Sequence, residues 1–277
     1  MTISTDSAPD FDPAVLAPQP PRRPGIWSGL GMVALYFLLQ AVVGAVVGLV
    51  GIFVYAFIQG ATGHHFGAAA IGRLLHEPSI KTGLTIIVLA IVAALTLWLT
   101  RRFWREQWSV ADPPGFGFVR PERPWMFFAM AVAAAVALAY GGSWLTEFLA
   151  HGHAFHQDVS VMGKNVPLGM RIALAALVVC VAPLIEELLF RGVLLSGLMR
   201  RMPVWPAILV SALIFGGAHL PDFKFAWYPI PDLMLLGVAL AWLRVKSRSL
   251  WPSVAMHATN NLLAAIGWFV VAHPPHG

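Results

Sequence analysis

Charge is scarce in this sequence. Only 11% of its 277 residues are Asp, Glu, Lys or Arg, 18 basic and 13 acidic, while 58% are hydrophobic. An ordinary soluble domain carries about 25% charged residues and about 45–50% apolar ones. So few charges cannot cover a water-soluble globule of this size, and the composition speaks against one. Cysteine is almost missing too: Cys180 stands alone, which excludes a disulfide framework or a multi-cysteine metal site within these residues. Lysine is sparse beside arginine, 4 against 14. The net charge of +5 would ordinarily suit nucleic acid. In a membrane chain the same excess reads as arginine in cytoplasmic loops facing anionic lipid, and no nucleic-acid partner is expected.

Long apolar runs take the place of the missing charge. They cover about residues 26–58, 80–100, 124–149, 168–199, 204–220, 229–243 and 250–272. The expectation is an all-α polytopic membrane protein of seven transmembrane helices, or eight if one span or re-entrant segment escapes the count. Residues 1–25 hold six prolines and no apolar run, and read as a disordered cytosolic arm. No basic n-region opens this stretch, so it does not read as a signal peptide. The remaining organisation is expected as N-terminal transmembrane helices and loops over 26–165, a second set of helices over 166–272, and a tail over 273–277.

The basic residues assign the two faces. With Arg22 and Arg23 inside, the alternating loops put twelve basic residues on the cytoplasmic side, among them Arg101, Arg102, Arg105, Arg120, Arg123, Arg200 and Arg201. Five fall outside: Arg73, Lys81, Lys164, Arg171 and Lys224. That asymmetry predicts a cytoplasmic N-terminus. The histidines run the other way, including an outer cluster HGHAFH at 151–156 whose composition could suit a metal or a pH sensor, or simply a polar loop.

Within the apolar runs, five ionisable side chains stand out: Glu186, Glu187, Arg191, His219 and His257. A charge at mid-bilayer costs about 2.5–3.5 kcal/mol on insertion scales, so such groups face the protein interior and find partners. Counting about 1.5 Å per residue from the nearest basic flanks puts Glu186, His219 and the pair His257 and Asn261 at similar depth on three helices. Glu187 and Arg191 are i and i+4, the favourable order for an ion pair. Glu186 is left to project into a cavity. His257 and Asn261 also share a face, as do Phe215 and His219, where the phenyl ring can pack beside the imidazole or simply fill core. Cys180 falls about 240° around the helix from Glu186 and reads as core.

A carboxylate and an imidazole at one dry site can hold a water between them and take its proton. A neighbouring histidine and asparagine can donate to a developing oxyanion. These parts suffice for peptide hydrolysis without a covalent intermediate. Competing chemistries lack their motifs. The one His-Glu pair reads HEPSI, with Ile80 where H-E-x-x-H needs histidine, and no G-x-S-x-G or G-x-G-D is present.

The segments APLIEELLFRGVLL (182–195), LIFGGAHL (213–220) and SRSLWPSVAMHATNN (247–261) together resemble the CAAX protease and bacteriocin-processing (CPBP, or Abi) family of glutamic intramembrane endopeptidases. The eukaryotic Ras-converting endopeptidase is similar in this core. The family pattern is E-E-x-x-x-R, then F-x-x-x-H, then H-x-x-x-N. The resemblance implies that Glu186 and His219 activate water and that His257 and Asn261 form the oxyanion hole. It covers about residues 168–270. Asn260, three residues after His257, offers a second amide. No cofactor is expected, with zinc on the histidines and glutamates as the alternative. Non-enzymatic alternatives are a proton relay or a bacteriocin-immunity or scaffold protein. The expected partners are a membrane-associated peptide or protein substrate and the lipid bilayer, with the oligomeric state left open. The arginine bias and the lack of an organellar address suggest a bacterial cell membrane.

Overall fold

The computed structural model describes residues 22–62, 67–153 and 166–270. Most of the expected N-terminal arm, all of the tail and part of the HGHAFH cluster lie outside these residues. Every regular element among the described residues is helical. We number them α1 (Ile26–Ala61), α2 (Ala68–His76), α3 (Pro78–Trp104), α4 (Pro124–Ala150), α5 (Leu168–Met199), α6 (Val204–Ala218), α7 (Ile230–Ser247) and α8 (Trp251–Val270). Each apolar run of the sequence becomes one of these helices. The short α2 is the element that hydropathy did not show.

Local chemistry sets several boundaries. Pro78 and Pro124 open α3 and α4, where a missing N–H costs nothing and the fixed φ suits the first turn. Glu77 caps α3 by accepting the Ile80 N–H at 2.7 Å. α1 opens on Gly25, whose N–H donates to Ser28 Oγ at 2.9 Å.

Four helices are long and apolar enough to cross a membrane: Ile26–Ala61, Pro78–Trp108, Pro124–Ala150 and Leu168–Met199. α6 is apolar but has only 15 residues. α7 and α8 carry polar side chains that dilute their hydropathy, among them Asp232, Arg244, His257, Asn260 and Asn261. The seven expected spans thus divide into four that composition alone supports and three shorter or more polar helices.

α5 is the central helix. From Leu188 to Leu195 every residue is buried. α1 crosses it with Gly29, Met32, Val33 and Tyr36, the i, i+3, i+4, i+7 series of one helix face. Close backbone approach explains the glycines here. A Cβ on Gly29 would sit 3.1 Å from Leu194 Cα, and one on Gly197 would sit 2.7 Å from the Gly25 carbonyl. α6 and α7 meet equally closely, since a Cβ on Gly237 would lie 3.0 Å from Ala212 Cα. Lipid is as apolar as leucine, so helix association in a bilayer rests on such packing and on internal polar bonds. Consistently, the rest of α1 presents Leu38, Val42, Leu49, Phe53 and Phe57 outward.

One end of the bundle is closed by the segment joining α3 to α4. Phe116 is fully buried there, edge-on to Trp104 and Trp108, with its Cβ 3.5 Å from where a Cβ on Gly192 of α5 would lie. Arg244 of α7 holds the segment by donating to the Gly115 carbonyl at 3.0 Å. Gly117 has φ +86°, and a Cβ there would lie 2.7 Å from the Arg244 guanidinium carbon. The Leu250 N–H, just before α8, donates to the Gly117 carbonyl at 2.7 Å.

Candidate active site

The site is built on the middle of α5. Glu187 and Arg191 pair as their spacing predicts, with Oε1 to Nη1 at 2.9 Å and both side chains fully buried. Arg191 also donates through Nη2 to the Gly237 carbonyl of α7 at 3.2 Å, and its guanidinium lies 4.3 Å from the Phe215 ring centroid. A contact that spacing did not foresee completes this group. His257 Nδ1 lies 3.0 Å from the same Oε1 of Glu187. A carboxylate oxygen can only accept, so Nδ1 carries the proton.

Glu186 faces the other way. Its Oε2 lies 3.7 Å from His219 Nε2 and 3.8 Å from His257 Nε2. Both separations exceed a hydrogen bond. Among the described residues this oxygen is buried without a partner. An unsatisfied buried acceptor costs about 1–3 kcal/mol unless water or a ligand meets it. One water placed to the side of the Glu186–His219 line can reach both groups at about 2.8 Å.

His219 is the residue on which α6 ends. Its Nδ1 is 2.8 Å from the Phe215 carbonyl one turn earlier. The carbonyl can only accept, so Nδ1 again holds the proton, and Nε2 is the nitrogen that faces Glu186. Phe215 is fully buried, with ring centroids 4.7 Å from His219, 5.7 Å from His257 and 5.1 Å from Phe190. The packing expected between Phe215 and an imidazole is present, and it extends to two imidazoles and a guanidinium.

Asn261 is held in a different way. Over Leu177–Val181 the helix is π-wound, and the Ala182 N–H bonds the Leu177 carbonyl five residues back. The next donor in that register would be Pro183, which has no N–H. The Val178 carbonyl is therefore left over, and Asn261 Nδ2 donates to it at 2.9 Å. One amide hydrogen is spent there and the other is free to serve a ligand. No hydrogen bond joins Asn261 to Glu186, His219 or His257 among the described residues. Asn260 is half-buried and likewise makes no side-chain hydrogen bond to a described residue.

Glu186, Glu187, Arg191, Phe215, His219 and His257 thus form one contiguous group, with Asn261 a turn beyond His257 on α8. Motif reading missed Tyr36, the last residue of the buried face of α1, which lies within electrostatic reach of Glu186 and Asp222. The only sequence signal for it was the i+3/i+4 rhythm of that face. Cys180 corrects an expectation: it is exposed, not core. The HGHAFH cluster is described only over residues 151–153, which follow α4, with His153 Nδ1 2.8 Å from the Ala150 carbonyl. Among the described residues no three His, Cys, Asp or Glu side chains are grouped to hold a metal ion.

Neither a curated protein nor a solved structure matches this chain. Residues 168–263, which carry every polar side chain of the site from Glu186 to Asn261, match the family model described as type II CAAX prenyl endopeptidase Rce1-like. That match bears out, over the segment that builds the site, the resemblance to the CAAX protease and bacteriocin-processing family.

Proposed function

We propose that this protein is a membrane-embedded endopeptidase that hydrolyses peptide bonds with a water activated by Glu186 and His219. The observation that carries this reading is the unpartnered Glu186 oxygen, 3.7 and 3.8 Å from two imidazole nitrogens, inside the family-matched segment. In the first step Glu186, assisted by His219 Nε2, takes a proton from the water as it attacks the scissile carbonyl. The carbonyl oxygen gains negative charge and accepts from His257 Nε2–H and the second Asn261 N–H. The proton then passes from the Glu186–His219 pair to the leaving amine as the C–N bond breaks. Glu187 and Arg191 hold the site together without touching the substrate. No cofactor takes part in this scheme.

The protein works as an integral membrane protein with α5 to α8 surrounding the site and all seven long helices within the bilayer. Exposed tryptophans support that placement: Trp27, Trp125, Trp205 and Trp251 sit at the first turns of α1, α4, α6 and α8, beside the arginine-rich loops. Aromatic side chains collect at membrane interfaces in this manner. The arginine-rich face is cytoplasmic, as is the N-terminus, and the membrane is a bacterial cell membrane. The substrate is a peptide segment presented at or within the bilayer, and the CAAX prenylated peptides of the family description are one class to assay.

The test compares cleavage of membrane-associated peptides by the purified protein and by Glu186→Ala, both reconstituted in lipid. Cleavage by the first and not the second supports the reading. Equal cleavage, or none by either across prenylated and unprenylated peptides, overturns it.

A further inference from the structure

We propose that Glu187 is a positioning residue for His257, fixing its tautomer and supplying its counter-charge, in addition to being the ion-pair partner of Arg191. The proposal rests on the peptidase reading for its effect on turnover, but not for its effect on the imidazole itself. One oxygen of Glu187 accepts from two elements at once: Arg191 Nη1 at 2.9 Å on its own helix and His257 Nδ1 at 3.0 Å on α8. The Glu187 and Arg191 side chains are completely buried and that of His257 is 5% exposed. The acceptor cannot drift, because Arg191 is itself held by the Gly237 carbonyl and the Phe215 ring. The imidazole cannot turn easily either, since Phe215 meets it edge-on at 85°.

A role confined to the ion pair leaves this arrangement unexplained. A buried Arg–Glu pair is commonly no more stable than packed hydrophobic side chains of the same volume. The pair here instead presents its oxygen to a ring nitrogen whose opposite nitrogen faces the reaction centre.

The two histidines of the site differ in this respect. His219 Nδ1 rests on a neutral carbonyl, that of Phe215, whereas His257 Nδ1 rests on a carboxylate. A carboxylate compensates a doubly protonated ring, the only form in which His257 Nε2 can donate while Nδ1 donates to Glu187. Both rings turn Nε2 toward Glu186 Oε2, at 3.7 and 3.8 Å, so the carboxylate behind Nδ1 is what sets His257 apart from His219. The charged groups around His257 are Glu186 through Nε2, Glu187 through Nδ1, and Arg191 behind Glu187.

The experiment uses the full-length protein with 15N-labelled histidine in lipid nanodiscs, the His257 signals being identified by their loss in His257→Gln. In the wild type the Nδ1 resonance is that of a protonated nitrogen. In Glu187→Gln, whose amide oxygen still accepts, Nδ1 stays protonated, the doubly protonated form is lost, and kcat falls at least tenfold with KM little changed. The double variant Glu187→Leu with Arg191→Leu removes the pair without leaving a lone charge. It is expected to stay folded, to show a mixture of His257 tautomers and to lose turnover. Unchanged His257 signals in both variants, or full turnover in the folded double variant, overturn the proposal. A wild type that cleaves nothing while its His257 signals still respond to Glu187 refutes the peptidase reading and supports the positioning role.

Discussion

Glu186 and Glu187 are adjacent in sequence, yet their carboxylates belong to different worlds. Glu187 Oε1 is bonded at 2.9 and 3.0 Å to Arg191 and His257. Glu186 Oε2 is buried without a hydrogen bond to any described residue, 3.7 and 3.8 Å from the imidazoles of His219 and His257. The Glu187 group is held by its two bonds through Oε1, while its Oε2 and Arg191 Nε are buried without a partner among the described residues. Glu186 Oε2 is the oxygen to which the proposed mechanism assigns the water.

Removing Arg191 strands the buried charge of Glu187. Arg191→Ala should destabilise the protein by about 3–5 kcal/mol, the usual cost of breaking one side of a buried pair. Thermal unfolding in detergent checks this, and the paired leucine variant should recover most of the loss.

Pro183→Ala should give the opposite combination of effects. It supplies an N–H that can reach the Val178 carbonyl, releasing Asn261 from its 2.9 Å bond. A proline inside a helix costs about 3 kcal/mol, so the variant should be at least as stable as the wild type. Turnover should nevertheless fall by about tenfold or more, within the roughly 10²–10³ that loss of a whole oxyanion donor costs. Kinetics of Pro183→Ala, Asn261→Ala and their combination decide the point. If the two act through one amide, the double variant is no worse than Asn261→Ala.

The site's helices were legible in the sequence because the bilayer makes charge conspicuous. Glu186, Glu187 and Arg191 stand in one apolar run, and the i, i+4 rule alone predicts the Glu187–Arg191 pair. Depth counted at 1.5 Å per residue brought Glu186 and His219 to one level, and they approach to 3.7 Å. Contacts between distant segments were not legible. Glu187 and His257 are 70 residues apart, and no spacing rule joins them. Pro183 was visible as a possible kink, but the π-wound register that leaves the Val178 carbonyl for Asn261 depends on how α5 packs. Tyr36 comes from a helix outside the motifs. The buried Phe116 segment owes its form to Arg244 and Gly117, a pairing that no local pattern announces.

Metal chelation provides an independent check on the chemistry. With water activated by Glu186 and His219 alone, a strong zinc chelator should leave the cleavage rate unchanged. Loss of activity that added zinc restores would assign the histidines to a metal instead.

The central claim is that Glu186 is the group that takes the proton from water. Its most direct test is the single-turnover rate of peptide cleavage by Glu186→Gln, measured in lipid beside the wild type with folding verified by thermal unfolding. Glutamine keeps the shape and loses the base. The account predicts that the rate falls by about 10²–10⁴, the range for loss of a general base, while the protein stays folded. A folded Glu186→Gln that cleaves as fast as the wild type would contradict it.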